Sequence, residues 1–178
     1  MSTSTLLAIL IPVAVVLILA GFAAWMFQRR RRLQERFGPE YDRTVEHEGS
    51  KRAADAELRA REVRHDDLHI RELPAEERHR YAAAWTDVQQ HFVDRPENAV
   101  AQADELVTRL MRDRGYPTEG YEQQLRELSV DHGRTLEHYR AAHEVNVRSS
   151  DGKATTEELR GAMVHYRALF DELVGTTR

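Results

Sequence analysis

Nine histidines sit in a chain of 178 residues that has no cysteine. Any metal or proton chemistry must therefore come from imidazole and carboxylate groups. Glu62-x-x-His65 and Glu76-x-x-His79 have the i, i+3 spacing found in carboxylate-bridged di-metal bundles. Such a centre takes one motif from each of two helices and a further carboxylate from each of two others, all facing inward. Here the first motif falls in a charge-dense segment, and the second on the charged face of its helix, two residues before core-facing Tyr81. In a chain with 30 acidic residues and nine histidines this spacing arises readily by chance, so no metal is expected.

Ser129, Asp131 and His132 in "SVDHG" include the residue types of a catalytic triad. Adjacency in sequence does not make a spatial relay, and Ser or Asp here reads better as a helix N-cap. His91, His143 and His165 fall on or beside apolar stripes. The expectation is half-buried, hydrogen-bonded histidines, with a pocket or pH-sensing role as the alternative. The chain has no Gly-rich phosphate loop, no G-x-S-x-G and no H-E-x-x-H. No catalytic residue and no cofactor is expected.

The elements that would have to position any site begin with "LLAILIPVAVVLILAGFAAWMF", residues 6–27, which carries no charge. As a helix this stretch spans about 33 Å, slightly more than a hydrocarbon core of about 30 Å. Pro12 is tolerable near its start, and Trp25 stands where an interfacial aromatic belt would place it. Residues 1–5 carry no basic side chain and the apolar run is too long for a signal peptide. The positive cluster follows the run instead: Arg29, Arg30, Arg31, Arg32 and Arg36. The positive-inside rule keeps such a cluster in the cytoplasm. The sequence thus predicts an inner-membrane single-pass protein with residues 1–5 outside, a transmembrane helix at 6–27 and the remainder inside. The same arginines are candidates for contact with anionic lipid.

Formal net charge is −4, against a nucleic-acid binder. Residues 28–73 hold 12 basic and 11 acidic groups with sparse apolar positions. Gly38-Pro39 must break a helix there, and no heptad repeat persists. The segment reads as a charged, partly helical juxtamembrane stalk. Residues 74–178 carry 14 basic against 19 acidic groups, so repulsion from an anionic membrane is expected of this part.

From Pro74 the pattern turns to short amphipathic helices. Tyr81, Trp85, Val88 and Phe92 form one stripe over about 75–93; Val100, Ala103, Val107 and Leu110 another over 96–114. Asp94 with Glu97, and Thr155 with Glu158, have capping-box spacing. Thr118 can cap a short helix carrying Tyr121, Leu125 and Leu128. Leu136, Tyr139 and His143 mark a fourth helix over about 131–147, and Leu159, Met163, Tyr166, Phe170 and Leu173 a fifth over 156–173. The fold expected is all-α: one transmembrane helix, the stalk, and an antiparallel bundle of about five helices.

The segments "RRRRLQERFGPEYDRTV", "RDRGYPTEGYEQ", "LSVDHGRTLEHYRAAH" and "ATTEELRGAMVHYRALFDELV" together resemble a family of small bacterial single-pass proteins. Members are labelled hypothetical membrane or secreted proteins. The resemblance covers most of the chain from Arg29 onward and implies architecture without an activity.

Three function classes remain, of which an enzyme is the least favoured, since it would need a cleft with two or more strongly perturbed titratable groups. Of the other two, one is a cytoplasm-facing interaction module that binds a protein partner or self-associates. The other is a tethered bundle binding a small ligand or cofactor, with Trp85, Tyr139, His143 and Tyr166 lining the cavity. The first is preferred, because the second lacks a positive signal.

Overall fold

One helix, α1 (Thr3–Phe37), carries the apolar run straight through the arginine cluster. Residues 28–37 are mostly good helix formers, and nothing interrupts them until Gly38-Pro39. The computed structural model describes the backbone of residues 3–175 and the side chains of residues 13–175. Expectations for Met1 and Ser2, and for the side chains up to Pro12, lie outside the described residues. Among those described, one helical segment, Val13–Phe37, is long and apolar enough to cross a membrane, and its apolar window is unburied. Leu17, Ile18 and Phe27 are each about two-thirds exposed.

The chain is all-α, with no strand among the described residues. After α1 come α2 (Pro39–Glu48), α3 (Lys51–Asp66), α4 (Ala75–Asp94), α5 (Pro96–Arg114), α6 (Tyr121–His132), α7 (Leu136–Ser150) and α8 (Thr156–Val174). The main core is built where α4, α5, α7 and α8 meet, with α6 closing one end. The apolar stripes read from the sequence face it: Trp85, Val107, Leu110, Tyr139, Tyr166 and Phe170 are all buried. Thr155 and Glu158 form the expected capping box at the start of α8.

Three local readings need correction. Asp94 does not cap α5; Arg95 holds the N-cap position without a side-chain bond, and Pro96 starts the helix by its fixed φ. Thr118 does not cap α6, whose N-cap is Gly120; the Thr118 hydroxyl accepts from Arg112 Nε at 3.2 Å instead. Asp131 and His132 end α6 rather than begin α7, because the chain turns at residues 133–135.

Residues 28–73 differ most from the expected stalk. Their few apolar side chains are enough for a second core: Leu33, Phe37, Tyr41 and Leu58 pack with Val130 of α6. Phe37, Ala54 and Leu58 are fully buried. Beyond α3, Ile70 packs on the main core, and Arg71 N–H donates to the Arg114 carbonyl at 2.9 Å. Charge helps to hold α2 and α3 in place. Glu40 is buried between Arg61 Nη1 at 3.2 Å and Arg140 Nη2 at 2.9 Å, tying α2 to both α3 and α7. Gly133 permits a close backbone approach. A Cβ there would stand 2.6 Å from the Phe37 carbonyl oxygen, so the end of α1 abuts the α6–α7 turn.

Candidate functional site

A groove between α4 and α8 has an apolar floor and a basic rim. Helical spacing brings Trp85, Gln89 and Phe92 of α4 opposite Met163, Val164 and Arg167 of α8, around a cavity of about 280 Å³. Trp85 is nearly fully buried and stacks on Phe170, with ring centroids 4.7 Å apart. Its indole N–H nevertheless has no hydrogen-bond partner. A buried donor left unpaired is costly. The Arg167 guanidinium lies 5.5 Å from the centre of the Trp85 ring, and Arg160 lines the same groove. Both arginines are exposed, as is Val164 (65%) in the groove wall.

The other proposed pocket residues fall in a polar seam inside the core. Tyr166 donates to Asp104 Oδ1 at 2.7 Å, and His143 Nδ1 lies 3.3 Å from the same oxygen. Tyr139 donates to Gln124 Oε1 at 2.6 Å. Tyr121 stacks on His143 with centroids 3.9 Å apart. Burial, reinforced by the Asp104 charge, pushes both the Tyr139 and Tyr166 hydroxyls well up, so they act as fixed donors. Trp85 lines the groove on α4 and α8 and is not part of this seam.

The histidines are distributed among separate partners. His65 Nε2 meets Asp131 Oδ2 at 2.9 Å, while Glu62 of the same motif pairs with Arg36. Glu76 and His79 are exposed. His132 bridges Glu172 Oε1 at 2.7 Å and the Tyr116 hydroxyl at 3.1 Å. The hydrogen bond from His132 is the largest influence holding the Glu172 carboxyl below its usual range, aided by Thr135 against the opposing effect of burial. Burial lifts the Tyr116 hydroxyl to about 12. Ser129 donates to the Arg126 carbonyl at 2.6 Å, so Ser129, Asp131 and His132 each serve a different neighbour. His91 faces Gln102 at 3.0 Å. His138 and His165 meet Nδ1 to Nδ1 at 2.8 Å, and burial together with the His138 charge lowers the His165 pKa. Among the described residues no group of three or more His, Cys, Asp or Glu is arranged to hold a metal ion.

The arginine cluster also divides. Arg29 lies over the Trp25 ring at 5.0 Å. Arg30 reaches Asp55 at 3.3 Å, whereas Arg31 and Arg32 are exposed. Arg36 is committed to protein partners: the Val130 carbonyl at 3.2 Å, Glu62 at 3.1 Å and Asp131 at 3.4 Å. Sequence reasoning passed over Arg52 and Arg59 of α3 and Arg160 and Arg167 of α8. The α3 pair could have been found, since Arg52, Asp55 and Arg59 recur at steps of three and four on one helix face.

No family model, curated protein or solved structure matches this chain. Its own geometry must therefore carry the functional reading.

Proposed function

We propose that the chain is a single-pass, membrane-anchored interaction module. In this reading its five-helix bundle, α4–α8, faces the cytoplasm and captures an acidic amphipathic segment of a protein partner in the α4–α8 groove. The observation that carries the reading is the groove itself: an apolar floor and two exposed rim arginines, paired among the described residues only with Glu157 and Asp171 of their own helix, each at 2.7 Å. A partner helix with apolar anchors would fill the floor, and its carboxylates would meet Arg160 and Arg167. The interior placement of Tyr139 and Tyr166, with both hydroxyls already bonded, favours this over a ligand cavity. It also favours a binding role over a catalytic one. The unburied apolar face of α1 supports the anchor. The arginines that follow it support a cytoplasmic bundle in the inner membrane of a bacterium.

The test is photo-crosslinking in living cells from a reactive side chain placed at Val164, with the exposed His79 position as control. The expected result is one discrete adduct from position 164, absent from position 79 and lost when Arg160 and Arg167 become Glu. Equal labelling from both positions refutes the groove. An adduct at twice the chain mass would replace the heterologous partner with a second copy. A C-terminal reporter pair, active on opposite sides of the membrane, checks the orientation, and signal outside the cytoplasm overturns it.

A further inference from the structure

A second concave site lies where α1 passes the first turns of α3. Phe22, Trp25 and Met26 form its apolar wall, and four arginines also line it: Arg29, Arg30, Arg52 and Arg59. The cleft measures about 750 Å³. Asp55 is the one carboxylate in its lining, and it is already committed. It accepts from the Tyr41 hydroxyl at 2.9 Å and from both Arg30 Nε and Nη2 at 3.3 Å. Arg59 stands 4.0 Å from the same carboxylate, and its Nε is buried without a partner. Arg52 is exposed and has no ion-pair partner among the described residues, and Arg29 is held by the Trp25 ring alone. The cleft thus has more positive charge than its single carboxylate can neutralise, and a buried guanidinium nitrogen still lacking an acceptor.

The height of the cleft along α1 bears on which anion would suit it. Asp55 pairs with Arg30 and Glu62 with Arg36. Seven residues of α3 thus match six of α1, so the two helices run side by side in the same direction. In that register Arg52 stands level with Phe27, at the end of the apolar run. Trp25 to Arg30 is about 7.5 Å along the axis. A headgroup layer is about 5–8 Å thick on each side of the hydrocarbon. If α1 crosses a bilayer, the four guanidiniums therefore lie at the depth of lipid phosphates and the aromatic wall at the depth of the upper acyl chain.

We propose that this cleft binds the phosphate of an anionic phospholipid, with Arg29, Arg30, Arg52 and Arg59 clamping the headgroup and Phe22, Trp25 and Met26 contacting its acyl chain. The inference rests on the reading of α1 as a membrane helix. Guanidinium forks suit phosphate oxygens, and a desolvated pair of this kind is stronger than one in open water. Lipid seated here would also brace α3 against α1 and fix how the bundle stands on the membrane. Soluble phosphate has the same headgroup chemistry but no acyl chain to use the apolar wall.

The experiment uses full-length protein extracted from vesicles containing phosphatidylcholine and phosphatidylglycerol, with retained lipid weighed by native mass spectrometry. Wild type is expected to retain phosphatidylglycerol in preference to phosphatidylcholine. Arg52→Gln with Arg59→Gln should lower that preference by roughly fivefold per arginine, about twenty-five-fold together. Arg52→Gln alone, at an exposed position, should give the single fivefold step without a folding penalty. Arg31→Gln with Arg32→Gln removes the same charge outside the cleft and should leave most of the preference. An equal loss in both double variants means a diffuse surface field and overturns the proposal. So does retention of both lipids alike, or displacement of phosphatidylglycerol by inorganic phosphate at equal concentration. Alkaline carbonate washing separates the two levels of failure. Wild type released by the wash loses the anchor and the lipid site together; wild type that stays in the pellet without lipid preference loses only the lipid site.

Discussion

Glu40→Gln offers the sharpest test of how residues 28–73 are held. The residue is 5% exposed. Its carboxylate receives Arg61 Nη1 at 3.2 Å and Arg140 Nη2 at 2.9 and 3.1 Å. Glutamine keeps the volume but removes the charge, leaving two largely buried guanidiniums facing an amide. Deleting one member of a buried ion cluster costs about 3–5 kcal/mol. Arg61 retains Glu57 at 3.0 Å, and the Arg140 side chain is 24% exposed, so the low end, about 3 kcal/mol, is the expected loss. In a protein of this size each kcal/mol moves Tm by about 2–4 °C, giving a drop of roughly 6–12 °C. The assay is thermal unfolding of the full chain in detergent, followed by near-ultraviolet circular dichroism. Arg43→Gln is the control, because its pair with Glu137 is surface-exposed and should be worth at most about 1 kcal/mol. If Glu40→Gln melted no lower than the control, α2 would not be fastened to α7 and the segment would be the free stalk that its composition suggests.

Two more outcomes follow from single contacts. Gly133→Ala meets no backbone strain, since φ is −56°, but its Cβ would press on the Phe37 carbonyl oxygen at 2.6 Å. A loss of about 1–3 kcal/mol and faster proteolysis within residues 38–50 are expected, and an unchanged cleavage rate would contradict the close approach. Glu172 is held below the usual carboxylate range by His132, with Thr135 and the Arg114 charge adding to it against burial. A depressed pKa means that its stabilisation is present above the unfolded value, about 4.3, and fades as pH falls through the folded one. Tm should therefore fall less steeply below pH ~4 in Glu172→Gln than in wild type; parallel acid limbs would refute this.

The stripes of α4, α5 and α8 were legible because each repeats apolar residues at helical spacing over about three turns or more, and those of α6 and α7 because turns bound their shorter repeats. Punctuation such as Gly38-Pro39 and the Thr155–Glu158 capping box is local chemistry, and local chemistry can be read from the chain. The second core was not legible for the opposite reason. Leu33, Phe37, Tyr41 and Val45 recur every four residues, but Gly38-Pro39 splits them between two helices, and their partner Val130 lies 85 or more residues further on. The Glu40–Arg140 pair has the same long-range character, since 100 residues separate its members. His132 was noticed for the company it keeps in sequence. Its working partners, Tyr116 and Glu172, come from a loop and from α8, which no spacing rule joins to it. The Trp85 groove was half legible: the indole lies on a stripe, but Arg160 and Arg167 acquire meaning only when α8 is laid against α4.

Charge shows most plainly why composition stops short of mechanism. A net −4 and an acidic 74–178 segment suggest a body repelled by an anionic surface. Net charge, however, is a sum over positions that the fold separates in space. Screening confines each exposed charge to about 8–10 Å, so the membrane would feel the groups nearest to it rather than the total. In the proposed arrangement those are Arg29, Arg30, Arg52 and Arg59 around one saturated aspartate. The α4–α8 groove belongs to the bundle beyond α6. In that arrangement the basic end would hold the surface, and the acidic body would stay clear of it with its groove open to a partner.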